Sequence, residues 1–512
     1  MPQTQSERTR ATLAVLLLLG FYVFSLGIVV VLIAANVLLA IAGEVYFYLV
    51  LLALVATFSI LPAVFSLDRR ARDIEREGAL PVTRAQQPAM WQLVDEVASR
   101  MGTRAPDVLL LSADVNAGVL QSGAFLGLRP GKRVMSIGVP LLSVLDETQL
   151  RAVLAHEYGH YANGHTASGA LLYRARSGLD RAVYGVRRRV ILHEALSSYR
   201  DLFLRVSQPL MRQQEVEADQ VASETVSAEA LATGLAAMPG ANAVWRQYVE
   251  VVLAPTWLSG FAVTNVFTPL PALYAARPEV RAAALQQHLS GTPSERDTHP
   301  PLRQRLTTLG WDGTLPPPSE GCLHLLQDRD NVEAALRRNM TPVQVRASQL
   351  RDITWSEVPE QIAPLLGARA TEGLLTVVSG LPTSSKDVTV GTLAHVFDVL
   401  ESGRREALEA RLFRKERPPT GMRTFLVMAV SDALVRQGKA TWVVDEAGPS
   451  PFTVVPIGRT KLDIDAIVDP ALEGSASGRA LLTKRKLDLS QPLPEKGPSS
   501  VADLTRGLTA RR

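Results

Sequence analysis

His156 and His160 stand four residues apart with Glu157 between them, in the run RAVLAHEYGH that covers residues 151–160. Residues four apart on a helix project from one face, one turn above the other, so both rings can direct a nitrogen at one metal ion. Glu157 follows the first histidine and lies beside such an ion, placed to take a proton from a water that the ion acidifies. A purely structural site has no need of that base. The helix is predicted on other grounds: Asp146, with Gln149 three residues later, fits a capping box, and Leu150, Val153 and Leu154 supply an apolar face. The chain has one cysteine, Cys322, which excludes an intrachain disulfide framework and a cysteine-rich metal site. Any metal must therefore be held by histidine and carboxylate.

A catalytic zinc ion takes three protein ligands and keeps one open position. The extended pattern HExxHxxGxxH would need glycine at 163 and histidine at 166, where this chain has Asn163 and Thr166. A glutamate from a later helix is the other route. Glu215 meets it, 55 residues after His160 in the run MRQQEVEAD, residues 211–219. Asp219 lies one turn beyond Glu215 on the same face, placed to accept a hydrogen bond from a ligand imidazole. Glu217 points roughly 200° away around the helix and is the poorer candidate.

HEYGH together with EVEAD is similar to the HtpX and CAAX-prenyl-protease-like family of membrane zinc metallopeptidases. Three further stretches agree: Asn116-Ala117 after a strand, the approach SIGVPLLSVLDETQLRAVLAHEYGHYANGH over 136–165, and THPPLRQR over 298–305. The resemblance covers roughly residues 85–310 and the N-terminal anchor. It implies a zincin-type domain binding one Zn2+, with His156, His160 and Glu215 as ligands and Glu157 as general base. It gives Asp219 the support of a ligand histidine, and His299 and Arg305 a part in stabilising the oxyanion or shaping the site. Substrate backbone would align on an edge strand near Asn116. His165 reads as a polar residue at a helix end. Relatives of the HtpX type carry two further membrane spans before the third ligand, but Arg174, Arg176, Arg187 to Arg189, Glu194 and Arg200 leave no room for them here. Specificity for prenylated substrates is not implied.

From Ala11 to Leu67 the only charged residue is Glu44. As one helix this stretch would be roughly 86 Å long, against about 30 Å of hydrocarbon, so it must fold back at Gly43-Glu44. Two spans are predicted, near 13–38 and 46–67. Cleavage of a signal peptide after Ala40-Ile41-Ala42 is disfavoured because the apolar stretch is too long and continues beyond it. Arg8 and Arg10 before the first span, and Arg69, Arg70 and Arg72 after the second, place both ends in the cytoplasm of a multi-pass plasma-membrane protein. An unpaired cysteine suits that compartment. Another uncharged window, Val251 to Ala276, holds Pro255, Pro269 and Pro271 and reads as a buried or membrane-skimming loop. The basic stretch 171–189 reads equally as a solvated helix face or as a contact with anionic headgroups.

The fold class is mainly α (α+β): a transmembrane helical hairpin over 1–67, a zinc metallopeptidase domain with a small sheet over 68–311, and an extra α/β region over 322–487. Residues 68–110 read as helical, with Trp91, Leu93, Val94 and Val97 on one stripe. Strands are predicted at 107–112 and 133–139, separated by a glycine-containing loop, and helices over 194–240 and 277–310. The prolines at 316–318 mark a linker over 312–321, Thr441 to Val444 a strand, and residues 488–512 a disordered tail. With 512 residues the chain builds two to four folding units. Its 47% hydrophobic content excludes a mainly disordered protein, and its 54 Lys+Arg against 50 Asp+Glu without long basic blocks exclude a nucleic-acid binder. The function that follows is a membrane-anchored zinc endopeptidase acting on protein or peptide substrates beside the lipid bilayer, in the role of membrane-protein quality control. The alternative is a silent or latent zinc-binding scaffold whose C-terminal domain binds a partner.

Overall fold

The computed structural model describes residues 78–124, 129–162, 190–291, 300–342, 350–413, 421–446, 452–458 and 462–491, together with scattered positions between 12 and 41 and at 179, 183 and 345. Contacts divide the chain into two compact units. One is Met1–Ala243 with Pro278–Met340, the other Val244–Arg277 with Thr341–Arg512.

The first unit is built on a four-stranded sheet in the order β1 (Leu80–Val82), β2 (Val108–Ser112), β4 (Arg129–Gly138), β3 (Ala117–Ala124). β2 runs parallel to β4, and β1 and β3 are antiparallel to their neighbours. Leu109, Leu110 and Leu111 of β2 are all fully buried, which is why a continuous aliphatic run forms the inner strand. β3 is the edge strand, with an irregularity in register between Gln121 and Gly123. Residues 80–82 are therefore strand, and in the stretch 68–110 the described helix is α1 (Pro88–Arg100). The expected glycine loop holds β3 instead: its backbone pairs with β4 although AGVLQSGA has little strand propensity of its own.

Helix α2 (Glu147–Ala162) starts as the sequence predicts. The Gln149 amide N–H donates to Asp146 Oδ1 at 2.8 Å, and the Asp146 amide donates to Gln149 Oε1 at 3.1 Å. Tyr158 Oη donates to the Val94 carbonyl at 3.2 Å and fixes α2 on α1. Helix α3 (Val190–Thr225) has 36 residues with Pro209 inside it, and α4 (Ala228–Tyr248) follows after a short break. Gly159 lets α2 and α3 touch: a Cβ there would lie 2.9 Å from Ala218 Cα. Helices α5 (Pro278–Ser290), α6 (Leu302–Thr308) and α7 (Arg329–Met340) complete the unit.

The proline-rich stretch 312–321 is no boundary. The Cys322 amide donates to the Leu142 carbonyl at 2.7 Å, and Arg281 reaches the Pro316 carbonyl. Gly321, at φ +69°, passes so close to the backbone that a Cβ would lie 2.7 Å from the Ser143 carbonyl oxygen. Beyond it, Gln87 and Gln327 exchange hydrogen bonds of 2.6 and 2.8 Å, and Asn339 Nδ2 donates to the Gly78 carbonyl at 2.9 Å. Prolines here give extended backbone laid along the unit, so it ends at Met340 and not near 311.

The second unit takes up the uncharged window. Val252, Leu253, Trp257, Val263, Phe267, Leu270 and Leu273 are buried, and β5 (Phe261–Val263) pairs in parallel with β6 (Arg351–Ile353). The window lacks charge because it is protein core. The unit also holds helices α8 (Ala363–Val378), α9 (Leu393–Glu401), α10 (Arg405–Leu412), α11 (Gly421–Arg436), α12 (Asp465–Leu472) and α13 (Ser477–Lys484) and the hairpin of β7 (Ala440–Val444) and β8 (Phe452–Pro456), which packs on α11. The strand expected at 441–444 is there. Residues next to Asp488 are packed where a tail is expected: Leu487 and Leu489 are buried and the Leu489 carbonyl accepts from the Ala394 amide at 2.9 Å. Residues 492–512 lie outside the described residues.

Among the described residues no helix is long and apolar enough to cross a membrane. The described positions between Thr12 and Ile41 are helical, and Leu13, Leu16, Val23, Val30, Val31, Val37, Leu38 and Ile41 among them are exposed. The second expected span, 46–67, and most of the basic stretch 171–189 lie outside the described residues.

Candidate active site

The site forms where α2 crosses α3 beneath β3, wholly within the first unit. The capping box at Asp146 sets where α2 begins, and counting onward puts His156 and His160 on the side facing α3. Their rings sit 5.0 Å apart, nearly perpendicular at 81°. Glu215 of α3 completes a three-donor cluster in which one atom from each residue lies within 4.8 Å of the others. His156 Nε2 is 3.4 Å from Glu215 Oε2, and His160 Nε2 is 3.6 Å from Glu215 Oε1. Ligand atoms about 2.1 Å from a tetrahedral zinc ion are roughly 3.4 Å apart, so donor types and spacing both fit zinc.

Behind these donors lies a buried charged layer. Asp219 Oδ1 is 2.8 Å from His156 Nδ1, which leaves Nε2 turned toward Glu215. Arg305, on α6, holds both oxygens of Asp219, with Nε to Oδ2 at 2.8 Å and Nη2 to Oδ1 at 2.7 Å. Its Nη2 is 3.4 Å from both ring nitrogens of His156 and so is aligned with neither. Burial would lower the His156 pKa, but its contacts with Asp219 and Glu215 outweigh that and hold it up at about 9. Burial would raise the Asp219 pKa, yet His156 and Arg305 bring it below the usual carboxylate value. Without a metal the carboxylates of Asp219 and Glu215 thus favour a proton on His156, and a metal ion bound there would have to displace it.

Glu157 faces the other way. One position round the helix from His156, it points to β3, and its Oε2 accepts from the Val119 amide at 3.3 Å. Four residues on, Tyr161 Oη donates to the Val119 carbonyl at 3.0 Å. One face of α2 therefore carries metal donors and the neighbouring face grips the edge strand.

The structure brings together His156, Glu157, His160, Glu215, Asp219 and Arg305. Arg305 is buried against Asp219 and beside His156, a place suited to shaping the site. Asn116 does not offer its carbonyl at the free edge of β3, because it accepts from the Gly138 amide at 2.8 Å. His299 and His165 lie outside the described residues. Sequence reasoning missed Tyr161, Val119 and Gly159. Glycine inside a helix was a signal for the last, since it costs stability unless something packs close.

Residues 84–310 match Peptidase family M48. The Protease HtpX of Acinetobacter baylyi is 34% identical over 84 residues, 16% of this chain and 26% of that protein. The Protease HtpX homolog of Salinibacter ruber is 33% identical over 87 residues, 17% of this chain and 29% of that protein. The chain thus spans little more than a quarter of the length of the curated relatives it matches. No solved structure matches it.

Proposed function

We propose, from the premise that residues 84–310 are a Peptidase family M48 domain, that the chain is a zinc metalloendopeptidase hydrolysing peptide bonds of protein substrates. The observation that carries the reading is the convergence of His156, His160 and Glu215 with a carboxylate, Glu157, on the adjoining position of the same helix. Zinc bound there supplies Lewis acidity, polarising the scissile carbonyl and making a water nucleophilic near neutral pH. The protein does the rest. His156 is held in one orientation by Asp219, itself fixed by Arg305. Glu157 takes the proton from the attacking water and returns it to the leaving amine, and Glu157 already neighbours the strand on which substrate backbone would be added.

The finer reading is an enzyme anchored by spans near 13–38 and 46–67, with its catalytic unit in the cytoplasm, that turns over membrane-embedded or membrane-adjacent proteins. The exposed apolar side chains between Leu13 and Ile41 support the anchor, since such a surface is stable in lipid and unfavourable in water. His299 belongs to the same proposal as a residue near the oxyanion.

The test is zinc content together with casein cleavage for wild type and Glu157→Gln in detergent. Wild type is expected to bind about one zinc and cleave, and the variant to keep its zinc and lose roughly 100-fold or more in rate. Zinc binding without cleavage by either would favour the scaffold, and no zinc in either would sink the reading.

A further inference from the structure

We propose that Tyr161 is a positioning residue that competes with substrate for the edge of β3, so that its hydroxyl sets how tightly an extended peptide can pair at Val119. The proposal rests on the endopeptidase reading only for its kinetic arm. It begins with the register of the sheet. In an antiparallel pair, residues that exchange hydrogen bonds with the neighbouring strand alternate with residues whose N–H and C=O point away. The Gly138 amide donates to the Asn116 carbonyl, which makes that pair a bonded one. Counting along the register Ala117 to Ile137, Val119 to Met135 and Gln121 to Arg133, the groups of Ala117, Val119 and Gln121 point to the free edge. Past Gln121 the register shifts, so the regular template ends there. Val119 is thus the central outward residue, and it neighbours the catalytic carboxylate.

Both of its outward groups are already engaged. Glu157 Oε2 accepts from the amide at 3.3 Å, and Tyr161 Oη donates to the carbonyl at 3.0 Å. Glu157 and Tyr161 are four apart on α2, which is why one helix face can hold the N–H and the C=O of one residue. Val119 is only 3% exposed. The tyrosine ring is itself braced: the Arg133 guanidinium carbon lies 4.7 Å from its centre, and Arg133 is fixed by Thr103 Oγ1 at 3.0 Å and by the Arg104 carbonyl. A substrate strand pairing at this residue needs the two groups that Glu157 and Tyr161 hold. Its arrival must lift the tyrosine hydroxyl off the carbonyl, and it frees the Glu157 oxygen from the amide in the same event.

The sign of the effect separates this role from a structural one. Tyr161→Phe keeps the braced ring and removes the competitor. Its KM is expected to fall by about 2- to 10-fold, the range of one net hydrogen bond, with kcat unchanged. A hydroxyl that merely supports the strand or assists the reaction would raise KM or lower kcat when removed, and either result overturns the proposal. The second arm needs no catalysis. An extended peptide with a reduced central amide is titrated against the metal-stripped full chain, wild type and Tyr161→Phe, by fluorescence anisotropy. Binding is expected to tighten in the variant by the same factor, and unchanged or weaker binding overturns the competition. Tighter binding in a protein that never cleaves would leave the competition standing and remove the endopeptidase reading. Should the variant melt far below wild type, peptides N-methylated one residue at a time are titrated against wild type alone. Loss of binding confined to alternate positions supports pairing at this edge, and indifference to every N-methyl group overturns it.

Discussion

Two helix pairs, one in each unit, are built alike and behave differently. In the first unit α2 meets α3 through Gly159, and the residue after its contact Ala218 is the buried Asp219. In the second, α8 meets α11 through Gly367, where a Cβ would lie 2.8 Å from Trp442 and 3.0 Å from the Cβ of the buried Asp432. Burial pushes both carboxyls toward the neutral form, with opposite outcomes. Asp219 faces His156 and a two-bonded Arg305 and stays below the usual carboxylate value. For Asp432 burial wins and raises the pKa, because its partners are the Thr371 hydroxyl at 2.8 Å and one bond from Arg436 at 2.9 Å. The same packing device serves as a strut in one unit and, in the other, as the anionic support of a histidine in a cluster that could hold a metal ion. The number of full charges facing the aspartate decides which.

The widest gap between the pairs should appear on truncating the two aspartates. Asp219→Ala removes the acceptor of His156 Nδ1 and leaves Arg305, 9% exposed, without its two-bonded partner. Zinc affinity, measured by competition with a chromogenic chelator, is expected to fall about 10- to 100-fold. Urea unfolding of the metal-stripped protein should show a loss of about 3–5 kcal/mol, the usual cost of breaking a buried ion pair from one side. Asp432→Ala should leave zinc affinity alone. If it lowers that affinity as much as Asp219→Ala does, the division of roles is wrong.

What could be foreseen in the first pair shows how far spacing carries. His156, Glu157 and His160 were legible because a helix fixes the relative directions of residues one and four apart whatever surrounds it. Asp146 with Gln149 announced that helix, and the capping bonds are both present. Glu215 and Asp219 were legible for the same reason, one turn apart on α3. β3 was not, because its two glycines and mixed polarity carry no strand pattern, and its conformation comes from pairing with β4. The grip of Glu157 and Tyr161 on Val119 was hidden with it. The unit limits were hidden too, because 244–277 joins a core made with residues from Thr341 onward, and prolines at 316–318 read the same in a linker as in a strap laid over a domain. The uncharged window showed the ambiguity of hydropathy itself: protein core and membrane exclude charge alike.

The two glycines give a smaller contrast. Gly159→Ala drives a methyl against the Cα of Ala218, backbone that cannot yield, whereas Gly367→Ala meets a ring edge and a Cβ. Both should lose about 1–3 kcal/mol by overpacking. Only Gly159→Ala should also push α3 outward and carry Glu215 away from the histidines, weakening zinc binding in the chelator competition. Equal zinc affinity in the two variants would mean that the α2–α3 spacing does not set the donor geometry.

The smallest effect tests the sign of the Asp432 shift. A carboxyl whose folded pKa is raised holds its proton at pH values where the unfolded chain has released it. Ionising Asp432 therefore works against the fold. Its favourable contribution is fully present below the ordinary aspartate range and is lost as pH rises through the raised value. Asp432→Asn cannot titrate, so the urea midpoint of wild type relative to this variant should rise on moving from neutral to mildly acid pH. Thr371 and Arg436 both donate to Oδ2, so an amide oxygen in that place keeps both contacts and the comparison is one of charge. If wild type instead loses ground to Asp432→Asn on acidification, Asp432 is held charged as Asp219 is, and the opposition between the two helix pairs fails at its root.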